Sequence, residues 1–338
     1  MKVVIRSTNW IGDSVMSIPA LKEIRRIFPD AKLTLCVKSW AKDVFEEVDF
    51  IDDVLIYDYR KMNFFKQVFE WRKRRFDVAI LFTNSFESAL LAWFAGVKQR
   101  FGYATENRGF LLTGAFSVPS WKASRHEAFY YLNLVWEVER KLFNQSNSFE
   151  DLTISIPVSE ERRLKARRIL QNYSVDLSRR IVALGAGSKN SLAKRWPADK
   201  YAKLNDLLQL REKTNVILLG AKDETGIAKE VLNKALLKPI NLTGELSLAE
   251  TIAILSEIDL LISNDMGLAH LASAVGTKTL VIFGPTNEKA TKPIGSQIIR
   301  KEVACAPCMR RVCPIDHRCM NLISVEEVFE KAQSMLAS

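Results

Sequence analysis

Apolar positions along the chain follow two alternating rhythms. Short β-branched runs begin at residues 2 (KVVIRS), 32 (KLTLCVK), 52 (DDVLIYD) and 77 (DVAILF), and between them apolar residues recur at helical spacing over 14–28, 40–47, 61–75 and 86–95. Strands that are apolar on both faces and alternate with helices predict a parallel sheet covered on both sides. A helical segment over 125–143 follows, then the run DLTISIP at 151–157 and a charged helix over 159–172. The rhythm then restarts with RRIVALGAG from 179, TNVILLGAK from 214, DLLISNDMG from 259 and KTLVIFGPT from 278. Helices are expected over 198–211, 223–235, 247–256 and 267–275, with a last one over 324–336.

Two α/β halves of this kind meet in the polar stretch YSVDLSRR at 173–180, so the domains are expected to span 1–176 and 177–338, the last helix having the option of packing back on the first. Two facing halves would enclose a cleft lined by the carboxyl ends of the strands, where open α/β sheets take their ligands. No short repeat or low-complexity tract complicates the division.

Composition narrows the reading. With 338 residues, 48% hydrophobic and 26% charged, the chain can bury an ordinary core. The apolar run before Arg6 is too short for a secretory signal, and no segment approaches a membrane span, so the expected place is the cytoplasm. Forty-nine Lys and Arg against thirty-nine Asp and Glu leave a formal charge of +10, which favours an anionic partner. A nucleic-acid binder would gather its basic residues on one face with stacking aromatics; here they are spread over nearly every helix, and nucleic acid is not the expected partner.

Three stretches carry candidate chemistry. In STNWIGDSVMSIPAL, residues 7–21, the strand over 2–7 ends and Gly12-Asp13-Ser14 opens a helix that Ser14 or Asp13 could cap, which leaves Asp13 either as a helix cap or as a carboxylate on the cleft rim. In ISNDMGLAH a strand ends at Asn264-Asp265 and Gly267 opens a helix whose amides suit a phosphate, with His270 one turn in beside Met266. In GAGSKNSLAKRWP a strand runs into a glycine loop ahead of Lys194 and Arg195, cations able to meet a diphosphate. Gly185 and Gly187 begin a dinucleotide fingerprint, but Asn190 stands where the third glycine belongs and the loop is too long for a plain Rossmann dehydrogenase. A nucleotide-sugar epimerase or dehydrogenase would also need an intact G-x-G-x-x-G near the N-terminus, which is missing.

Taken together, NWIGDSVMSIPAL, TNSFESALLAWFAGVKQRFGY, AKRWP and SNDMGLAHLASAVGTKTLVIFGPT, in this order, resemble the bacterial ADP-heptose:lipopolysaccharide heptosyltransferases of glycosyltransferase family nine. The resemblance spans nearly the whole chain and implies the GT-B fold, two facing Rossmann-like domains, the first for acceptor and the second for nucleotide sugar. It implies an inverting, metal-independent transfer of heptose from ADP-heptose, a substrate rather than a cofactor, to the lipid A-linked inner core. SFESALLAWFAG and the late Cys-rich stretch are most similar to the enzymes that add the second heptose; those adding the first, or other members of the family, are the alternatives. Carried over residue by residue, Asp13 becomes the general base, with Asn9 and Gly12 beside it on the acceptor side. Lys194 becomes a phosphate contact, and Gly187, Ser188, Asp265, Met266, Gly267 and His270 engage the donor. Glu224 in GAKDETG matches an acidic residue near the nucleotide ribose. Met266 stands where the family often has threonine, so a hydroxyl contact is lost there while the backbone amide remains.

Two further stretches stay open. Cys305-x2-Cys308-x4-Cys313-x5-Cys319, with His317 inside it, offers four ligands to zinc or a set of reduced thiols. KMNFFKQVFEWRKRR at 61–75 places Phe65, Val68 and Phe69 on one helical face expected to look into the core, with a basic end. Because the family's acceptor is built on lipid A, the same helix is also a candidate contact with the anionic inner membrane, Phe64 and Trp71 supplying its interfacial aromatics.

Overall fold

The first strand, β1 (Lys2–Arg6), has four buried residues out of five and sits third in its sheet. The computed structural model that places it describes residues 1–58, 63–145, 152–189 and 191–338. After β1 come α1 (Ile11–Met16), α2 (Ile18–Ile27), β2 (Lys32–Val37), β3 (Asp53–Ile56), α3 (Phe64–Arg74), β4 (Val78–Leu81), α4 (Phe86–Phe94), β5 (Gln99–Tyr103), β6 (Gly114–Phe116) and α5 (Glu127–Phe143). All neighbouring strands pair in parallel, in the order β3-β2-β1-β4-β5-β6. The order reverses between β1 and β4, and a ligand crevice of this fold lies at the carboxyl ends of those two strands.

The expected helix over 14–28 is two helices. Pro19 has no N–H to give the preceding turn, and the chain bends at Ser17, whose hydroxyl bonds the Ser14 carbonyl at 2.8 Å. The segment expected as a helix over 40–47 is a 3₁₀ turn, Ser39–Phe45.

The second half repeats the plan. It comprises α6 (Glu160–Asn172), β7 (Ile181–Gly185), α7 (Ala198–Arg211), β8 (Asn215–Leu218), α8 (Thr225–Lys234), β9 (Ile240–Asn241), α9 (Leu248–Leu255), β10 (Leu260–Asn264), α10 (Gly267–Ala274), β11 (Lys278–Phe283), α11 (Glu288–Thr291), β12 (Gln297–Arg300), α12 (Arg318–Asn321) and α13 (Val325–Ala337). Its sheet runs β12-β11-β10-β7-β8-β9, again all parallel, with the reversal between β7 and β10.

The boundary between the halves differs from expectation. The chain divides into compact units Met1–Ile154 and Ser155–Ser338, not at 176. The reason is α6, whose arginines bond α9 and the residues after it: Arg162 donates to the Ala249 carbonyl at 2.9 Å, and Arg163 and Arg167 reach Glu257 at 3.2 and 2.5 Å. The last helix packs inside the second unit, where Val328, Phe329, Ala332 and Leu336 join the core formed by β7, β8 and β10. DLTISIP forms no strand over its described residues 152–157; the Ile156 N–H instead bonds the carbonyl of Ala274, the last residue of α10, at 2.8 Å.

Candidate active site

The second sheet gathers most of the candidate residues at its reversal. Asn264, the last residue of β10 and fully buried, is the hub. Its amide nitrogen donates to the carbonyls of Ala186 and Gly187 at 2.9 and 3.0 Å, holding the glycine loop after β7. Its oxygen accepts from the Trp196 backbone at 3.0 Å and from the Tyr201 hydroxyl at 3.1 Å. Asp265 follows and is 5% exposed; Lys194 Nζ bonds its carboxylate at 2.8 Å, and the Thr286 hydroxyl donates to the same oxygen at 2.8 Å. Met266 is the N-cap of α10, with extended backbone and no side-chain cap bond. Its sulfur lies against Gly185, where a Cβ would be only 3.5 Å away, so the side chain packs on the sheet end while Gly267 leads the helix. His270 is buried within α10.

Glu224 lies beneath the glycine loop. A Cβ on Gly187 would come within 2.2 Å of the Glu224 carboxylate, so glycine is what lets the loop lie on that side chain. Burial, offset in part by the bond from the Ala221 N–H at 2.9 Å, raises the Glu224 carboxyl above its usual range. The neighbouring Arg195 donates to the Ser188 carbonyl at 3.1 Å. Asn190 lies outside the described residues.

The Cys-rich segment has a job that its spacing did not reveal. Ser191 Oγ bonds the Arg311 carbonyl at 3.3 Å, the Ala193 N–H bonds the same carbonyl at 3.0 Å, and His317 Nε2 meets the Ala193 carbonyl at 2.6 Å. The 3₁₀ turn that presents Lys194 is therefore strapped down from both sides. Cys308 and Met309 donate to the Pro285 carbonyl at 3.0 and 2.9 Å, next to Thr286. All the cysteines are free thiols; Cys305 and Cys308 are exposed, Cys313 half-buried and Cys319 buried. Among the described residues, no group of three or more His, Cys, Asp or Glu is arranged to hold a metal ion.

In the first unit Asp13 is the third residue of α1. The N-cap is Trp10, which makes no side-chain cap bond, so neither Asp13 nor Ser14 is the cap that the sequence allowed. Gly12 precedes Asp13 in the same turn. Asp13 lies within electrostatic reach of Tyr131, whose phenol is pushed well above its usual value by burial first and by that carboxylate second. Asn9 is fixed by Arg6, which donates to its side-chain oxygen at 2.8 Å, and by Trp40, whose indole N–H bonds its carbonyl at 3.2 Å. Arg6 is buried, its guanidinium 4.2 Å from the Tyr57 ring centre, and Tyr57 in turn bonds Glu87. Lys38 lies 4.5 Å over the same ring; burial, then the Arg6 charge, lowers its ammonium. At the end of β4 the buried Arg108 donates to the carbonyls of Tyr103 at 2.9 Å and Ser85 at 3.1 Å and to the Ser88 hydroxyl at 3.0 Å, and burial brings it down to about 10.

The structure thus brings Gly187, Ser188, Lys194, Glu224, Asp265, Met266, Gly267 and His270 to one reversal point, and Asn9, Gly12 and Asp13 to the other. Sequence reasoning missed Asn264 as hub, Thr286, and the Arg6–Tyr57–Glu87 network. Asn264 had a signal, a buried amide ending an apolar strand beside the glycine loop; Thr286 had none beyond its place after β11.

Two open parallel sheets of Rossmann order, each with polar residues at its reversal, place the chain in the class of two-domain α/β nucleotide-binding enzymes. It belongs to glycosyltransferase family 9 (heptosyltransferase), whose family model matches residues 65–318. It is 28% identical to the lipooligosaccharide heptosyltransferase 2 of Campylobacter jejuni subsp. jejuni serotype O:2, over 99% of this chain and 98% of that one. It is 24% identical to the lipopolysaccharide heptosyltransferase 2 of Escherichia coli K12, over 89% and 88%. Among solved structures, that of E. coli ADP-heptose lps heptosyltransferase II superposes with a TM-score of 0.86 at 23% identity, covering 100% of this chain and 99% of that one. The E. coli heptosyltransferase WaaC with ADP gives 0.69 at 17%, covering 99% and 100%. The fold is that of the GT-B heptosyltransferases, and the protein is a glycosyltransferase.

Proposed function

We propose that the protein moves L-glycero-D-manno-heptose from ADP-heptose to the inner core of lipopolysaccharide, adding the second heptose to an acceptor that already carries one. The observation that carries the reading is the turn from Asn264 to Gly267, where a strand end, a helix N-terminus and the Lys194 ammonium converge as a diphosphate requires. Similarity to heptosyltransferase 2 proteins over almost the full chain supports the second-heptose step.

In this reading an acceptor hydroxyl attacks the anomeric carbon while the bond from that carbon to the diphosphate oxygen breaks. The hydroxyl proton passes to the Asp13 carboxylate. The negative charge growing on ADP falls on Lys194 and the first amides of α10, which stabilise it more in the transition state than in the bound donor. No metal or cofactor is called for. A single displacement inverts the anomeric centre and needs no covalent nucleophile, unlike a retaining hydrolase. Glu224 is suited to the ribose hydroxyls, and His270 and Ser188 to shaping the donor site. The enzyme would work on the cytoplasmic side of the inner membrane, in contact with its anionic surface; among the described residues no helix is long and apolar enough to cross a membrane.

The test is mass spectrometry of truncated lipopolysaccharides incubated with protein and ADP-heptose. A gain of one heptose on the one-heptose acceptor and none on the heptose-free acceptor is expected. The reverse pattern would move the protein to the first step, and no gain on either would end the reading.

A further inference from the structure

We propose that the outward face of α3, together with the end of α4, is a docking surface for an anionic lipid bilayer. Of the face expected to look inward, only Val68 does. The helix carries two apolar stripes, 64-68-71 and 65-69, and the first one wins the core: Val68 and Trp71 are buried, Trp71 completely, while Phe65 and Phe69 are 71% and 65% exposed. Trp71 is thus no interfacial residue, and Phe65 and Phe69 do not face the core. The expected helix start at 61–62 lies outside the described residues.

The exposed rings are contiguous with those of α4, where Trp93 and Phe94 are 48% and 38% exposed. Ring centres run from Phe65 to Phe64 at 5.8 Å, from Phe64 to Phe94 at 6.0 Å and from Phe94 to Trp93 at 4.9 Å. Exposed phenylalanines scattered singly are ordinary, but a connected set of them marks a contact surface.

The rim identifies what covers it. Lys66, Arg72, Lys73 and Arg75 are exposed around the rings, and Arg72 also donates to the Phe94 carbonyl at 2.7 Å, which joins the basic turn to the aromatic patch. Glu70 is the single acid in α3. Protein interfaces are depleted in lysine, whereas the headgroup layer of an acidic bilayer takes aromatic rings at its boundary and lysine and arginine at its phosphates. The surface lies in the unit that carries Asp13, so a bilayer held there would bring a lipid-anchored acceptor to that unit. To that extent the inference rests on the reading above, but the binding it claims needs neither donor nor acceptor.

The test is sedimentation of the full chain with sucrose-loaded vesicles of phosphatidylcholine alone or of an equimolar mixture with phosphatidylglycerol. The wild type is expected to pellet with the mixture, not with the neutral vesicles, and to be released by high salt. Lys66→Glu with Lys73→Glu should lower partitioning by at least roughly 25-fold, at about fivefold for each charge lost. Phe65→Ser with Phe69→Ser should lower it by roughly tenfold or more. Melting temperatures should stay at the wild-type value because all four side chains are exposed. No pelleting of the wild type, equal binding to neutral vesicles, or wild-type binding by the aromatic pair would overturn the proposal. So would a wild type that ignores vesicles but dissociates from dimer to monomer in the aromatic variant, which would assign the patch to a second copy. Transfer to a delipidated, soluble acceptor separates the two readings. Failed transfer with intact vesicle binding sinks the assigned reaction alone, and intact transfer without vesicle binding sinks this surface alone.

Discussion

Lys194→Met removes a cation that serves both the fold and, in the proposed reaction, the leaving group. Its partner Asp265 has a side chain 5% exposed, against 26% for Lys194 itself. Breaking a fully buried pair costs about 3–5 kcal/mol, and breaking an exposed one usually less than about 1 kcal/mol. Here one member reaches water and Thr286 still donates to the carboxylate, so the loss should be about 2 kcal/mol. For a unit of this size that lowers the melting temperature by about 4–8 °C. Turnover at saturating donor should fall by about 10²–10³, the range seen when one charge-stabilising group is removed from a transition state. Adding Asp265→Asn neutralises the stranded carboxylate and keeps an oxygen for Thr286, so the double variant should recover most of the stability and none of the turnover, with Asp265→Asn alone as control. Thermal melts by circular dichroism and ADP release provide both readouts. Wild-type turnover in Lys194→Met, or turnover that returns together with stability in the double variant, would reduce Lys194 to a structural tie.

Asp13→Asn keeps the third position of α1 and should leave melting temperature and ADP affinity unchanged while turnover falls by about 10²–10⁴; normal turnover would remove the base role. Gly187→Ala drives a Cβ to 2.2 Å from the Glu224 carboxylate and should cost about 1–3 kcal/mol along with ADP affinity by calorimetry; a variant unchanged in both would show that the loop does not need the close approach. Burial raises the Glu224 carboxyl, so the folded chain holds that proton more tightly than the unfolded one, and ionising it at neutral pH costs stability that returns as pH falls through the raised value. Glu224→Gln should therefore melt no lower than wild type at neutral pH, lose any advantage in acid, and bind donor more weakly; a lower melting point at neutral pH would contradict this.

Most of the strands that were legible are buried along their length, and the half-buried edge strand β3 was legible from its apolar run alone. β1, β2, β7, β10 and β11 are continuous apolar runs because helices cover both sides of each. β9 has two residues, β12 lies at a sheet edge and β5 carries an arginine and a glycine, so none of them imposes a pattern long enough to read. The domain boundary misled for a related reason: α6 looks like a solvated linker helix, and only its bonds to α9 and Glu257 assign it to the second unit. On α3, periodicity revealed that apolar stripes exist but not which one faces the sheet, since Phe65 and Phe69 are as apolar as the winners. At the β10 reversal the Asn-Asp-Met-Gly turn was legible because polar residues directly after a buried strand have few structural uses. Thr286 and the strap from 310 to 317 were not, because their contacts depend on the register of β10 against β11 and on a loop more than a hundred residues from Lys194.

The two reversal points occupy the same topological position in their sheets, yet the proposed reaction gives them opposite tasks. A displacement at an anomeric carbon needs a group that accepts a proton at one end and a set of donors that accepts negative charge at the other. A carboxylate placed among the donors is captured by them: Asp265 has the Lys194 ammonium and the Thr286 hydroxyl on one and the same oxygen. That oxygen is committed to holding the turn, and the proposed reaction gives Asp265 this structural task and not that of the base. In the proposed reaction the β1 reversal supplies the carboxylate instead, from the first turn of α1. Doubling the Rossmann unit in this way would give the two tasks to two separate sheets, the departing ADP to the positive end of α10 and Lys194, and the acceptor hydroxyl to Asp13.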